Sequence, residues 1–383
     1  MNDIIKLTSE LIKIPSISGS NQKEISEFIK DWLNDYAGVK AKVNEFDPGW
    51  YTVVAEKGDG DNIIILNGHY DVVPPGDLKK WDTDPFSGYI KDNKVFGRGA
   101  TDMKGGLAVL MKVFSEIDTK KYKIVFSAVP DEEIGGLHGS LKLAQIYDSN
   151  LVVIGEPSGS TSMTLAEKGL FQLKLKGFGR LAHGSLPSLG DNAILKVMRD
   201  LERLNTEINK INIDLPSDLE EIIKDTETIY NLPEVFKISF NPSVIKGGVK
   251  TNVVPDYCEI EIDMRIPPGI SSNSLLDYVK NNVIKETIVE PIDLSDPNYT
   301  SPNDNYVKIF DKAIKEVIGV KAKKIIIITG ATDGRFFRYK GVPVIVYGPG
   351  ELGVAHNYNE FVSFDELNRS YRVLKHFFEL IND

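Results

Sequence analysis

The sequence predicts an α/β protein: a mostly parallel sheet covered by helices on both faces and interrupted by an inserted α+β domain. Two observations predict it. Fully apolar runs alternate with amphipathic helical stretches in the first and last parts of the chain, the pattern of parallel strands buried on both sides. Beyond Lys168 and Gly169 the strands alternate apolar with polar residues, as in FQLKLKGF, which suits a sheet with one wet face. At 383 residues the chain exceeds what one compact core accommodates and suits two domains. The outer domain is placed at 1–168 and 297–383, and the insert at 169–296.

Each element has its own justification. Apolar residues at helical spacing predict helices over 2–13, ending before Pro15, and over 22–36. A strand near 51–56 precedes the apolar strand 63–66. Pro74, Pro75, Gly76, Pro85 and Gly88 make 72–99 mostly loop. Leu107, Leu110, Met111 and Phe114 form one stripe of a helix over 103–117. Strand 123–128, helix 137–147 and strand 151–154 follow. The insert carries a long helix over 191–209, a polar amphipathic stretch at 217–230, strands near 235–246 and 257–266, and a helix over 273–284. After Pro297 the first pattern resumes with helix 304–318, strands 324–329 and 343–347, and helix 364–381.

Bulk composition excludes several roles. Asp and Glu total 55 against 45 for Lys and Arg, so the chain lacks the basic excess that nucleic acid or an anionic membrane surface demands. No run approaches the ~20 apolar residues of a spanning helix. Asp3, Lys6, Glu10 and Lys13 break up the N-terminal stretch, so no signal-peptide core is expected there. A single cysteine, Cys258 in the alternating DYCEIEIDMRI, excludes an internal disulfide and reads as a buried filler. A cytoplasmic location is expected.

The chemistry lies in an ordered set of side chains. His69, Glu133, Glu156 and His356 each follow an apolar run by a few residues. In an open α/β sheet, that places them where ligands collect, at the carboxyl ends of the strands. Asp102 differs, following a Gly-rich turn and opening a helix. Zinc takes nitrogen and oxygen ligands, and two ions ~3.5–4 Å apart clamp both attacking and departing groups. A carboxylate has two oxygens, one for each ion, which makes Asp102 the candidate bridge. His69 and Glu156 are then assigned to one ion, Glu133 and His356 to the other. Asp71, two residues after His69, is spaced to accept the imidazole's other N–H. Glu132 points away from Glu133 if the backbone is extended, which leaves it free to act as general base.

The stretches NGHYDVVPPGD, WDTDPFSG, GRGATDMKGG, VPDEEIGG, GEPS, TNVVPD, DMRIP, TGATDGRFF and GPG…AHNYNE carry a resemblance. The chain resembles the zinc-dependent deacylases and peptidases typified by acetylornithine deacetylase and succinyl-diaminopimelate desuccinylase, with aminoacylases and carboxypeptidases as relatives. The resemblance implies a catalytic domain interrupted by a smaller lid that carries a homodimer interface. It implies two Zn2+ per subunit, with Co2+ or Mn2+ as possible substitutes, on His69, Asp102, Glu133, Glu156 and His356. Glu132 becomes the general base and Asp71 the orienting aspartate. His183, in GRLAHGSLP, corresponds to the lid histidine, and Asn252 and Arg265 to residues that grip the substrate; a guanidinium fork suits an α-carboxylate. Asp333 and Arg335 match a site-lining motif. A cis bond is implied between Asp102 and Met103. His138 and His376 match nothing functional and read as structural.

The implied reaction is hydrolysis of the amide of an N-acyl amino acid by water shared between the metals. The alternative is a carboxypeptidase or dipeptidase acting on short peptides. Met103 after the bridge resembles the deacylase branches, whereas GPGELGVAH departs from the desuccinylase pattern.

Overall fold

A computed structural model describes residues 3–231, 235–327, 330–351 and 353–382. The chain divides into two compact units. The first comprises Met1–Leu165, Thr300–Ile325 and Thr332–Asp383, and the second Ala166–Tyr299 with Ile326–Ala331.

The large sheet includes β1 (Lys42–Asp47), β2 (Trp50–Lys57), β3 (Asn62–His69), β4 (Tyr122–Val129), β5 (Leu151–Ile154), β6 (Ser162–Glu167) and β7 (Val344–Val346). They lie in the order β1-β2-β4-β3-β5-β7-β6. The four central strands β4, β3, β5 and β7 are parallel; β2 and β6 flank them antiparallel, and β1 pairs antiparallel with β2. Successive side chains of a strand point to opposite faces, and both faces here are covered. Ile65, Val125, Val152 and Val344 pack with Leu143 and Phe337. Helix Gly105–Glu116 buries Leu107, Leu110, Met111 and Phe114, with Phe114 5.6 Å from Phe126 of β4 between ring centroids. A strand buried on both sides has no room for polar alternation, hence the unbroken Ile63–Leu66 run.

The second unit is an antiparallel sheet in the order Asn241–Gly247, Tyr257–Ile266, Gly169–Phe178, Ile288–Leu294. Phe171, Leu173, Leu175, Ile260, Ile262 and Met264 alternate onto one face, where Val197, Leu204, Leu275 and Val279 of helices Ala193–Ile208 and Ser272–Asn282 meet them. Cys258 lies fully buried in that core, as its place in an alternating strand requires.

Several elements depart from expectation. The strand expected near 235–246 begins only at Asn241. Strand Ile288–Leu294 escapes notice because Pro291 breaks its pattern; it lies at a sheet edge, and the register shifts between Pro291 and Asp293, the setting that tolerates proline in a sheet. β1 is a half-exposed edge strand without alternation. Within 72–99, strands Tyr89–Lys91 and Lys94–Phe96 form a small sheet with Phe361–Ser363. The strand expected over 324–329 runs Lys323–Ile327, and residues 328–329 lie outside the described residues. Among the described residues, no helix is long and apolar enough to cross a membrane.

Two glycines bring the backbone at the end of β5 into place. A Cβ at Gly106 would lie 1.8 Å from the Gly155 carbonyl oxygen, and one at Gly348 would lie 2.0 Å from the same atom. Glu156 is the next residue. Gly106→Ala should therefore destabilise the protein by ~1–3 kcal/mol, the usual cost of overpacking, seen as a lowered midpoint in urea denaturation. An unchanged midpoint would contradict this close approach.

Candidate metal centre

Three parallel strands deliver their following residues to one crevice. His69 ends β3, the Glu132–Ile134 turn follows β4, and Glu156 lies two residues beyond β5. Asp102 arrives from a tight turn, Ala100–Lys104, that leads into helix Gly105–Glu116. The peptide bond between Asp102 and Met103 is cis. Buried Met103 lies beneath this turn, and its sulfur accepts the His69 amide at 3.3 Å.

The five side chains assigned to metals form two triads that share Asp102. His69 Nε2 lies 3.0 Å from Asp102 Oδ1 and 3.1 Å from Glu156 Oε1. His356 Nε2 lies 3.3 Å from Asp102 Oδ2 and 3.0 Å from Glu133 Oε1. Each triad has one imidazole, one terminal carboxylate and one oxygen of Asp102, and its donor atoms lie within 4.8 Å of one another. The two differ in access: the His69 side chain is 1% exposed and that of His356 49%.

Asp71 holds more than an imidazole. The closest acceptor to His69 Nδ1 is the backbone carbonyl of Asp71, at 2.9 Å, with the Asp71 carboxylate at 3.3 Å. That carboxylate also accepts the backbone N–H groups of Glu132 and Glu133 at 3.1 and 3.2 Å and the Ser18 hydroxyl at 2.7 Å. The extended backbone under which Glu132 would point away from Glu133 is not found: the segment coils into a 3-10 turn around one carboxylate.

Charge is concentrated here. Burial and the nearby Asp102 carboxylate push Glu156 up to about 8. Burial and Glu156 raise Glu132 well above the carboxylate range, and burial raises Glu133. Burial opposes ionisation of Asp102 too, yet the bonds to His356 and His69 carry its pKa below the usual range. Bonds to Asp102 and Glu133 raise His356 to about 10. Four carboxylates in a water-poor crevice repel one another, so protons or cations must neutralise them. A set of imidazole and carboxylate donors with one shared carboxylate suits divalent cations of the zinc kind.

The remaining expected residues fall into two groups. Asp333 is buried, and its Oδ2 accepts the Ser140 hydroxyl at 2.6 Å; Arg335 Nη2 donates to the Gly135 carbonyl at 2.7 Å. Both brace the loop that follows Glu133. His183, Asn252 and Arg265 belong to the second unit. There His183 is exposed, pairs with Val253 and shares a 2.7 Å bond with Ser185 Oγ, while the Asn252 carbonyl accepts the Gly184 amide. Arg265 Nε donates to Asp263 at 3.3 Å. His138 stacks on Trp50 and bonds Asp47, and His376 bonds Glu316 and Glu379, so both serve the scaffold. Sequence reasoning passed over Glu360, whose carboxylate accepts the Thr101 and Asp102 amides at 2.9 and 3.1 Å. Its signal was the NYNE stretch just past His356.

Residues 65–380 match the model of peptidase family M20/M25/M40. The chain belongs to this family. Its members are metal-dependent hydrolases, and so is this protein. It is 29% identical to an uncharacterized metallohydrolase of Methanocaldococcus jannaschii, over all of this chain and 99% of that one. It is 26% identical to a probable succinyl-diaminopimelate desuccinylase of Staphylococcus aureus, over 94% of this chain and 93% of the relative. A metallo-carboxypeptidase of Sulfolobus solfataricus has the same fold, with a TM-score of 0.80 at 21% identity and full coverage of both chains.

The raised groups make the metal-free protein sensitive to pH. Glu156, Glu132 and Glu133 hold protons more tightly folded than unfolded, as do the two imidazoles. Their contribution is present below the unfolded pKa and is lost as pH rises through the folded one. The metal-free protein should thus melt at a lower temperature at pH 8.5 than at pH 6, a loss that excess Zn2+ offsets. Equal melting temperatures at the two pH values without metal would contradict it.

Proposed function

We propose that this family member is a cytoplasmic two-zinc amidohydrolase that removes the acyl group from an N-acyl amino acid. The observation that carries the reading is the pair of triads sharing Asp102, each with one imidazole and one terminal carboxylate. His69, Asp102 and Glu156 hold one ion, and Asp102, Glu133 and His356 the other. Bound there, such ions polarise the amide carbonyl and lower the pKa of water.

The chain's own groups do the rest. Glu132 takes the proton of the attacking water and returns it to the departing nitrogen, a role that suits a carboxyl whose pKa lies above the ordinary range. Asp71 fixes the His69 ring and, through the Glu132 and Glu133 amides, the base itself. His183 of the partner subunit donates to the oxyanion, Asn252 and Arg265 grip the substrate with Arg265 on its carboxylate, and Asp333 and Arg335 steady the site through the Gly135–Ser140 loop. Met103 in TDMKGG supports a deacylase over a peptidase.

A homodimer through the second unit completes the reading. Every residue of its edge strand Asn241–Gly247 is exposed, including Ile245, and Leu195 and Met198 of helix Ala193–Ile208 are more than half exposed. An uncovered strand edge with apolar neighbours invites pairing with a second copy.

Kinetics and metal analysis test these roles. Glu132→Gln should keep both ions and the fold while turnover falls ~10²–10⁴-fold, the range for a lost general base; loss of an ion would make Glu132 a ligand instead. His183→Ala should lose ~10²–10³-fold in turnover with metal content unchanged, and full activity would remove it from catalysis. A panel of N-acetyl and N-succinyl amino acids set against dipeptides decides the substrate class. Faster turnover of the dipeptides would make the enzyme a peptidase.

A further inference from the structure

Arg98 and Glu360 form a buried ion pair outside the donor set of the site. Arg98 sits in GRG, four residues before Asp102, and Glu360 in NYNE, four residues after His356. The Lys94–Phe96 and Phe361–Ser363 strands bring the two together by pairing Phe96 with Phe361 and Val95 with Val362. The Gly97 amide continues the zip by donating to the Glu360 carbonyl at 2.8 Å.

The contacts of this pair converge on the shared ligand and on the exposed one. Glu360 Oε2 accepts Arg98 Nη1 at 2.6 Å, with side chains 3% and 0% exposed for Arg98 and Glu360. Glu360 Oε1 accepts both the Thr101 and Asp102 amides. The Arg98 fork reaches onward, Nη2 to the His356 carbonyl at 3.2 Å and Nη1 to the Asn357 carbonyl at 3.3 Å. His356 has φ 62, a left-handed backbone that a non-glycine residue rarely adopts. Such a residue needs outside contacts to stay in place, and the Arg98 guanidinium supplies one at its carbonyl. The guanidinium lies 5.3 Å from the Trp81 ring centroid.

We infer that Arg98 and Glu360 are positioning residues that act as a bracket, setting the aim of the bridging carboxylate and of His356 together. The inference rests on the two-metal reading of the site. Neither residue touches the donor atoms; both act through the backbone of residues that do. The bracket explains how the more exposed His356 keeps a fixed place beside Glu133 and Asp102. Its chemistry is specific: one carboxylate oxygen for two amides, the other for a fork that also holds two carbonyls. A lysine keeps the charge of Arg98 but not the fork, and a glutamine keeps the shape of Glu360 but not its charge.

Calorimetric titration of the metal-free full-length protein with Zn2+ tests this, with folding followed by circular dichroism. The wild type should take up two ions in distinguishable steps. Arg98→Lys should weaken the ion held by Glu133 and His356 by ~10–100-fold, the usual effect of losing a partner of a metal ligand, and spare the ion on His69 and Glu156. Glu360→Gln should weaken both ions, because both depend on Asp102. Should Arg98→Lys fail to fold, the isosteric Glu360→Gln alone decides. Wild-type uptake of two ions, with folded variants that match it, overturns the bracket while leaving the metal reading intact. A wild type that binds fewer than two ions overturns that reading and the bracket with it.

Discussion

Four carboxylates and two imidazoles crowd one crevice at the ends of parallel strands, and the cost of that crowding organises the surrounding structure. Isolated carboxylates in such a place would gain protons or move apart. Here they are prevented from moving. Asp71 is fully buried and ties the His69 ring, the Glu132–Glu133 turn and Ser18 to one carboxylate. Gly106 and Gly348 hold the backbone beside Glu156 at distances that exclude any side chain. The Arg98–Glu360 pair holds the backbone of Asp102 and His356. A site preorganised against its own repulsion binds a compensating cation without having to rearrange.

The division of labour along the chain follows from this. The rigid parallel sheet supplies His69, the glutamate pair and Glu156 from strand ends, where backbone position is set by ladder bonds. Asp102 and His356 come from irregular segments, which need dedicated side-chain contacts to reach the same precision. Arg98 and Glu360 serve that need in the first unit. The second unit, built as an antiparallel sheet with its own core, carries His183, Asn252 and Arg265.

How much of this was legible in the sequence depended on the type of signal. Apolar strands such as 151–154 and the stripe of helix Gly105–Glu116 appeared at nearly their observed positions, because burial on both faces leaves a continuous pattern. His69, Glu133, Glu156 and His356 stood out because each follows an apolar run, and Asp102 because a Gly-rich turn precedes it. Strand Ile288–Leu294 stayed hidden since an edge strand tolerates Pro291, and helix Gly334–Arg338 is too short to show a period. The coiling of the Glu132 backbone depends on Asp71, 61 residues earlier, and no local pattern encodes that. Arg98 and Glu360 were passed over for the same reason: 262 residues separate them, and each alone reads as an ordinary charged residue.

In the proposed site Asp102 bridges two ions. X-ray absorption spectroscopy of the fully Zn2+-loaded protein tests it most directly, since it reports the distance between neighbouring metals. A shared carboxylate requires a zinc–zinc distance of ~3.5–4 Å, with nitrogen and oxygen ligands at ~2.0–2.2 Å. A spectrum of isolated zinc ions, without a second metal at that distance, would contradict it.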